Sequence, residues 1–346
     1  MAVISSVVTA LPDNIYSRDD ILAVSAQWLS EFPHQRELFD RFVSSAQISQ
    51  RHFAIPLEDI LRLSGAQERA QLFQTKGRAL MNECVGKLFA EQRVKAQEID
   101  HLLFTSCSSP AIPSIDVGVI DDHEFRRSVN RVPIFQHGCA GGIIGLSLAH
   151  RLLREGQKAL LSSVEICSLV YQAADVSGGN LVGSAIFGDG AAAVLIEDTG
   201  EGLCYIDAQS HLIPESAHLM GYNIEDDGTH LRLDRALPQA LTQYTPPFVK
   251  SFLAQNNTTT ADIDWWLFHP GGVKVLHALE EAFAIRRTQS HWAWDVLEQY
   301  GNMSSASILF VLKEFLQAKS ALPGQKVCML GVGPGLTIEA ILLEQT

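Results

Sequence analysis

Two spacings of apolar residues interleave along this chain. Stretches 77–92 and 237–255 carry apolar side chains at helical spacing, whereas 132–135, 191–196 and 265–268 are short apolar runs bounded by turn residues. A repeat near 3.6 residues buries one stripe of a helix, and a short unbroken apolar run suits a strand covered on both faces. Their alternation predicts an α/β architecture with buried sheets. Residues 1–12 are apolar, lack a basic start and stop at Pro12, which reads as a first buried strand and not as a secretory signal. Segments 13–75 and 205–235 are less regular and are expected to decorate the core.

The pattern also repeats. Ile99-Asp100-His101-Leu102-Leu103-Phe104 returns 164 residues later as Ile263-Asp264-Trp265-Trp266-Leu267-Phe268, and Gly156-Gln157-Lys158 returns 168 residues later as Gly324-Gln325-Lys326. Two small-residue turns, each ahead of a helix, hold equivalent places: His137-Gly138-Cys139-Ala140-Gly141-Gly142 and Gly301-Asn302-Met303-Ser304-Ser305-Ala306. Two echoes at nearly one offset predict two similar halves, residues 1–200 and 201–346, packed as layers about a pseudo-two-fold axis.

Composition narrows the function. With 346 residues, 47% of them hydrophobic, the chain can bury a large core. It carries 26 Lys+Arg against 39 Asp+Glu, a formal net charge of -13, and no basic run, so nucleic acid and anionic membrane are excluded as partners. No apolar stretch approaches the roughly 18 residues of a membrane span. The six cysteines (Cys84, Cys107, Cys139, Cys167, Cys204, Cys328) form no CxxC pair and no metal-ligand spacing. They are expected to be reduced thiols of a cytoplasmic protein that holds no metal.

In α/β layers, ligands gather at the carboxyl ends of strands, where helices begin. Cys139 follows the run 132–135 and opens a helix, where the dipole and free amides favour a thiolate. His269 ends the run 265–268 and precedes Pro270-Gly271-Gly272; there it can donate a proton or hydrogen bond to a thioester carbonyl. Asn302 lies in the turn equivalent to that of Cys139, and its amide can hold an enolate oxygen without adding charge. Each has a plainer reading too. A cysteine packs, a histidine is satisfied in the core, and an asparagine caps a helix.

Taken together, these stretches resemble thiolase-fold condensing enzymes, and within that group bacterial type III polyketide synthases. The resemblance runs from Met1 over the whole chain. It is carried by Gly138-Cys139-Ala140-Gly141-Gly142, Phe187-Gly188-Asp189-Gly190-Ala191-Ala192, His269-Pro270-Gly271-Gly272, Gly301-Asn302-Met303-Ser304-Ser305-Ala306 and Gly331-Val332-Gly333-Pro334-Gly335. It implies a duplicated thiolase-like fold layered α-β-α-β-α. It also implies that Cys139 takes an acyl starter from CoA, while His269 and Asn302 help malonyl-CoA lose carbon dioxide and stabilise the enolate. No cofactor is implied beyond the substrates acyl-CoA and malonyl-CoA.

By the same resemblance Phe187 is an aromatic gate between CoA tunnel and cavity, with Leu231 at the second gate position in place of Phe. Cys107, Cys167, Val170 and Ser304 would line the cavity, and Gly331, Val332, Gly333, Pro334 and Gly335 would form its floor, Val332 standing where Phe is usual. Arg51 would meet CoA phosphates. Ile112-Pro113 would reach into the partner of a homodimer, with Ile in place of the more usual Met. The small side chains and the Leu231 gate point to an aliphatic acyl starter, with a pyrone, resorcinol or phloroglucinol product.

Three rivals differ in stated features. A ketosynthase III-type enzyme working on an acyl carrier protein shares the Cys, His, Asn order, but Pro270-Gly271-Gly272 after His269 and the Gly-Val-Gly-Pro-Gly segment disfavour it. A biosynthetic thiolase needs a cysteine in that last segment, and Cys328 precedes it. A scaffold that kept the fold and lost the chemistry has no reason to keep Cys139, His269 and Asn302 together.

Overall fold

The computed structural model describes residues 2–108 and 111–346. In the first half, β1 (Val3–Ala10) is followed by the small pair β2 (Asn14–Ser17) and β3 (Gln50–Phe53). Then come β4 (His101–Ser106), β5 (Asn130–Phe135), β6 (Lys158–Ile166) and β7 (Asp189–Glu197). The second half starts at β8 (Leu203–Leu212) and carries the hairpin β9 (Met220–Glu225) and β10 (Gly228–Leu233). It closes with β11 (Trp265–Phe268), β12 (Lys326–Gly333) and β13 (Thr337–Gln345).

The duplication is visible in strand order. The main sheet runs β11-β12-β13-β8-β1-β7-β6-β4-β5. Outward from its centre, β1-β7-β6-β4 mirrors β8-β13-β12-β11 in order. The senses match as well: β6 with β4 and β12 with β11 are parallel, whereas β1 with β7, β7 with β6, β8 with β13 and β13 with β12 are antiparallel. β5 has no counterpart; the corresponding stretch of the second half holds helices Val273–Phe283 and His291–Tyr300.

Two expectations need correction. The halves are not separate sheets, because Val3 and Ile4 of β1 pair with Cys204 and Leu203 of β8 and join the ladders. Residues 205–235 are not mere decoration either, since β8 is a full strand of the main sheet. Segment 13–75 is likewise ordered, into β2, β3 and helices that include Arg18–Trp28 and Pro33–Ser45.

Hydrophobic pattern explains the layering. Along β7, Ala191, Ala193 and Leu195 face one core while Ala192, Val194 and Ile196 face the other, as the two-residue repeat of a doubly covered strand requires. Helix Arg78–Gln92 buries Met81, Cys84, Val85 and Leu88 on one stripe and lies on β1 and β7. Helices Gly141–Leu152 and Ser307–Ala318 occupy the middle. The first touches β4 and β6 on one side and β12 and β13 on the other; the second touches β1, β7 and β11. Ser307–Ala318 is accordingly apolar nearly all round, burying Ile308, Leu309, Phe310, Val311, Leu312 and Phe315. The result is the layered α-β-α-β-α arrangement, with both central helices starting at the same level.

Candidate active site

Each central helix is entered through one tight turn: Gly138–Ala140 before the first and Ser304–Ala306 before the second. These are the two turns matched in the sequence, and they pack against each other. Their contact brings Cys139 and Asn302 together. The Cys139 thiol donates to Ser304 Oγ at 3.7 Å, and the Asn302 side chain also hydrogen-bonds to it. Asn302 Oδ1 is already occupied, accepting the Ser304 N–H at 2.8 Å. Its amide nitrogen, which lies toward the Cys139 sulfur and carries two N–H groups, is therefore the end that can donate to a ligand.

His269 continues β11, its N–H donating to Leu330 O at 2.9 Å on β12. Two glycines of β12 place it beside the nucleophile. A Cβ on Gly331 would lie 3.6 Å from His269 Cβ and 2.8 Å from Ile143 Cδ1, and one on Gly333 would lie 2.7 Å from Ala140 Cβ. Alternate residues of a strand share a face, so the histidine and the Cys139 turn are neighbours there. The imidazole is buried, and neither ring nitrogen has a hydrogen-bond partner among the described residues. Burial lowers its pKa to about 3.

Burial also pushes the Cys139 thiol up to about 11, against the hydrogen bonds from Ser304 and Asn302 that lower it. Desolvation therefore works against the thiolate that the helix start favours.

The other expected residues fall into three places. Cys107 shares the Cys139 pocket, its sulfur 3.1 Å from Ser304 Oγ, so one hydroxyl serves two thiols. Cys167, Val170, Phe187 and Leu231 line one apolar recess together with Ile21 and Val24. Phe187 and Leu231 meet over Gly183, where an added Cβ would lie 2.5 Å from Leu231 Cδ2 and 3.3 Å from the Phe187 ring. Gly331, Val332 and Gly333 end a strand instead of forming a loop, with Pro334 and Gly335 as the turn after them. Ile112 projects from the surface at 96% exposure.

Arg51 is the correction. It is 3% exposed, and its Nη1 donates to the backbone carbonyls of Ser184 at 2.7 Å and Phe187 at 2.8 Å. A guanidinium so engaged does not stand at the surface to meet phosphates.

Sequence reasoning missed two side chains. Glu165, wholly buried on β6, accepts from the Cys107 and Ser108 N–H groups and from the Ser106, Ser108 and Ser305 hydroxyls. Its signal was present: a lone acid in an otherwise apolar and small-residue run. Tyr222 of β9 is held well above the usual phenol range by burial, and Cys107, Cys167, Glu165 and Cys139 act on it in the same sense. The polar segment around it gave no such sign. Elsewhere, Glu225, Asp227 and His230 form the one group among the described residues with metal-ligand proximity, on the exposed end of the β9–β10 hairpin.

The layered, duplicated fold is that of a thiolase-like protein, and a thiol and a carboxamide at paired helix starts, with a buried unpartnered imidazole at the end of β11, suit a condensing enzyme. The chain matches the chalcone and stilbene synthases, N-terminal domain, over residues 1–199 and their C-terminal domain over residues 205–346. It is 34% identical to a 1,3,6,8-tetrahydroxynaphthalene synthase of Streptomyces peucetius subsp. caesius, covering 99% of this chain and 92% of that one. It is 28% identical to the alpha-pyrone synthesis polyketide synthase-like Pks18 of Mycobacterium tuberculosis, covering 99% and 91%. The crystal structure of 1,3,6,8-tetrahydroxynaphthalene synthase from Streptomyces coelicolor A3(2), a bacterial type III polyketide synthase, superposes with a TM-score of 0.95 at 25% identity, covering 99% of each chain. The chain belongs to the chalcone and stilbene synthase family. It is a type III polyketide synthase, an acyl-transferring condensing enzyme.

Proposed function

We propose that the enzyme loads an aliphatic acyl group from CoA onto Cys139 and extends it with malonyl-CoA as a cytoplasmic homodimer. The observation that carries this reading is a buried His269 whose ring nitrogens have no partner, together with an Asn302 whose oxygen is already engaged. A buried polar group without a partner costs about 1–3 kcal/mol, so a site that keeps one is built for a ligand to complete it.

Loading exchanges one thioester for another: the Cys139 sulfur takes the acyl carbon, and the thiol proton leaves with free CoA. Malonyl-CoA then loses carbon dioxide, and the electron pair of the broken bond forms an enolate. Its oxygen accepts from the neutral His269 N–H and the Asn302 amide. The enolate carbon attacks the Cys139 thioester, a carbon–carbon bond forms, and the sulfur is released for the next loading. Hydrogen-bond donors held in place for a developing oxyanion are worth roughly 10²–10³ in rate each.

The apolar recess behind Cys167 and Val170 favours an aliphatic starter, since Ile21 and Val24 offer an alkyl chain nothing to hydrogen-bond. Exposure of Ile112 supports a dimer, because an apolar side chain so far out suits a partner's surface. Six free cysteines fit a reducing compartment. Among the described residues no helix is long and apolar enough to cross a membrane.

The test incubates the protein with acyl-CoA thioesters of rising chain length and malonyl-CoA, then reads intact mass and products. Acyl mass on Cys139, absent in Cys139→Ala, with malonyl decarboxylation lost in Asn302→Ala, is the expected result. Activity only with an acyl carrier protein, or label on another residue, would overturn it.

A further inference from the structure

The reaction set out above makes no use of Arg51, yet its guanidinium is one of the most committed groups in the fold. β3 carries it beneath the last turn of helix Gly178–Ile186, where Nη1 donates to Ser184 O and Phe187 O. The Ser184 carbonyl is open for an identifiable reason. In a continuing helix the Gly188 N–H would return to it. Here that N–H donates instead to Asn302 O at 3.0 Å, while the Asn302 N–H donates to Ile186 O at 2.8 Å. The helix thus gives way to a parallel bridge between Phe187 and Asn302. Arg51 takes the acceptor that the departing amide leaves behind.

The crossing is close-packed around the same side chain. A Cβ on Gly188 would meet Tyr300 O at 2.6 Å, and one on Gly301 would meet Ile186 O at 2.6 Å and Arg51 Cδ at 3.1 Å. On the far side Asp189 accepts the Ala54 N–H, the Ser168 N–H and the Ser168 hydroxyl, and its carboxylate acts on Arg51. Burial lowers Arg51 only to about 10, so it stays charged at neutral pH and its bonds remain charge-assisted.

We propose that Arg51 is a positioning residue: by capping the Ser184 and Phe187 carbonyls it holds the Phe187–Asn302 bridge in register, and so sets the carboxamide that receives the malonyl thioester. This rests on the reading of Asn302 given above. Removal of the cap frees Gly188 to return to the helix, which shifts Asn302 without touching Cys139.

The experiment compares parent, Arg51→Lys and Arg51→Met as full chains. It measures decarboxylation of malonyl-CoA and of malonyl-N-acetylcysteamine, which lacks the CoA phosphates, alongside thermal midpoints. Lysine keeps the charge but not the planar reach of the guanidinium. Arg51→Lys is expected to fold and to lose about tenfold in kcat, with KM changed less than about twofold and the same relative loss on both thioesters. Arg51→Met should lose more; if it does not fold, Arg51→Lys alone decides. A raised KM at parental kcat, confined to the CoA ester, would mark a phosphate contact and overturn the proposal. Parental kcat and KM in Arg51→Lys would overturn it too. An inactive parent would sink the functional reading itself, whereas an active parent with an unaffected Arg51→Lys sinks only this inference.

Discussion

Ser304 holds its hydroxyl 3.7 Å from the Cys139 sulfur while its own backbone stands in the left-handed region, at a φ of 47°. A non-glycine residue there is strained by about 1 kcal/mol or more, and such strain persists only where surrounding structure enforces it. The hydroxyl also meets the Cys107 sulfur, so it can accept from one thiol while donating to the other. As Cys139 loses its proton, the O–H turns to stabilise the charge.

Ser304→Ala should therefore raise the cost of forming the Cys139 anion by about 1 kcal/mol, the net worth of one hydrogen bond. Alkylation of Cys139 by iodoacetamide at pH 8, followed by peptide mass spectrometry, is expected to slow by roughly fivefold. An unchanged rate would mean that the shared hydroxyl does not act on the nucleophile.

His269 predicts an acid-sensitive fold. Its pKa is about 3 in the folded protein against 6.5 as the ordinary value, lowered by burial. Above pH 6.5 the group is neutral in both states and pH has no effect through it. Between pH 6.5 and 3 only the unfolded chain binds the proton, so stability falls by about 1.4 kcal/mol per pH unit. His269→Gln removes the titrating group. Its urea-unfolding free energy should therefore fall by about 3 kcal/mol less than the parent's between pH 6.5 and 4. Parallel pH profiles for the two proteins would refute this.

How far the sequence anticipated these features depends on whether a residue acts through its period or through its neighbours in space. The echo between the stretches at 99 and 263 announced the two halves, because strand identity is written in local apolar pattern. It did not announce the seam at Val3 and Cys204, since pairing partners two hundred residues apart leave no local mark. Cys139 and Asn302 were legible because both sit in turns at helix starts. The upward push on the Cys139 thiol was not, because desolvation depends on what encloses the sulfur. Arg51 illustrates the limit: a lone cation in an acidic chain suggested an anionic ligand, but its partners are carbonyls more than 130 positions away.

Glu165 is the group whose replacement the fold should tolerate least. It is wholly buried and gathers five kinds of donor: the Cys107 and Ser108 amides and the Ser106, Ser108 and Ser305 hydroxyls. Those donors tie β4, β6 and the Ser304–Ala306 turn to one point. Glu165→Leu strands them without acceptors, each at a cost of about 1–3 kcal/mol if it finds no other partner. Glu165→Gln keeps one acceptor oxygen and should lose less. Urea denaturation of the three proteins gives the order parent, Gln, Leu; a Leu variant as stable as the parent would show that the donors re-pair elsewhere.

The nucleophile's position can be tested without touching its chemistry. Gly138 has a φ of 51°, and a Cβ there would lie 2.5 Å from Pro334 Cδ and 2.9 Å from Cγ. A proline ring cannot swing aside, so Gly138→Ala must move either the Cys139 turn or the segment that backs it. Gly156 serves as control. Its φ of 77° is equally left-handed, but nothing lies within 4 Å of an added Cβ. Both variants should lose about 1 kcal/mol to backbone strain. Only Gly138→Ala should also lose condensation activity, by roughly 100-fold, because a displacement of about 1 Å at a reacting group costs that much. Measuring unfolding free energy and polyketide formation on the two variants separates strain from displacement. Equal activities would mean that the turn holding Cys139 tolerates a shift that the geometry says it cannot.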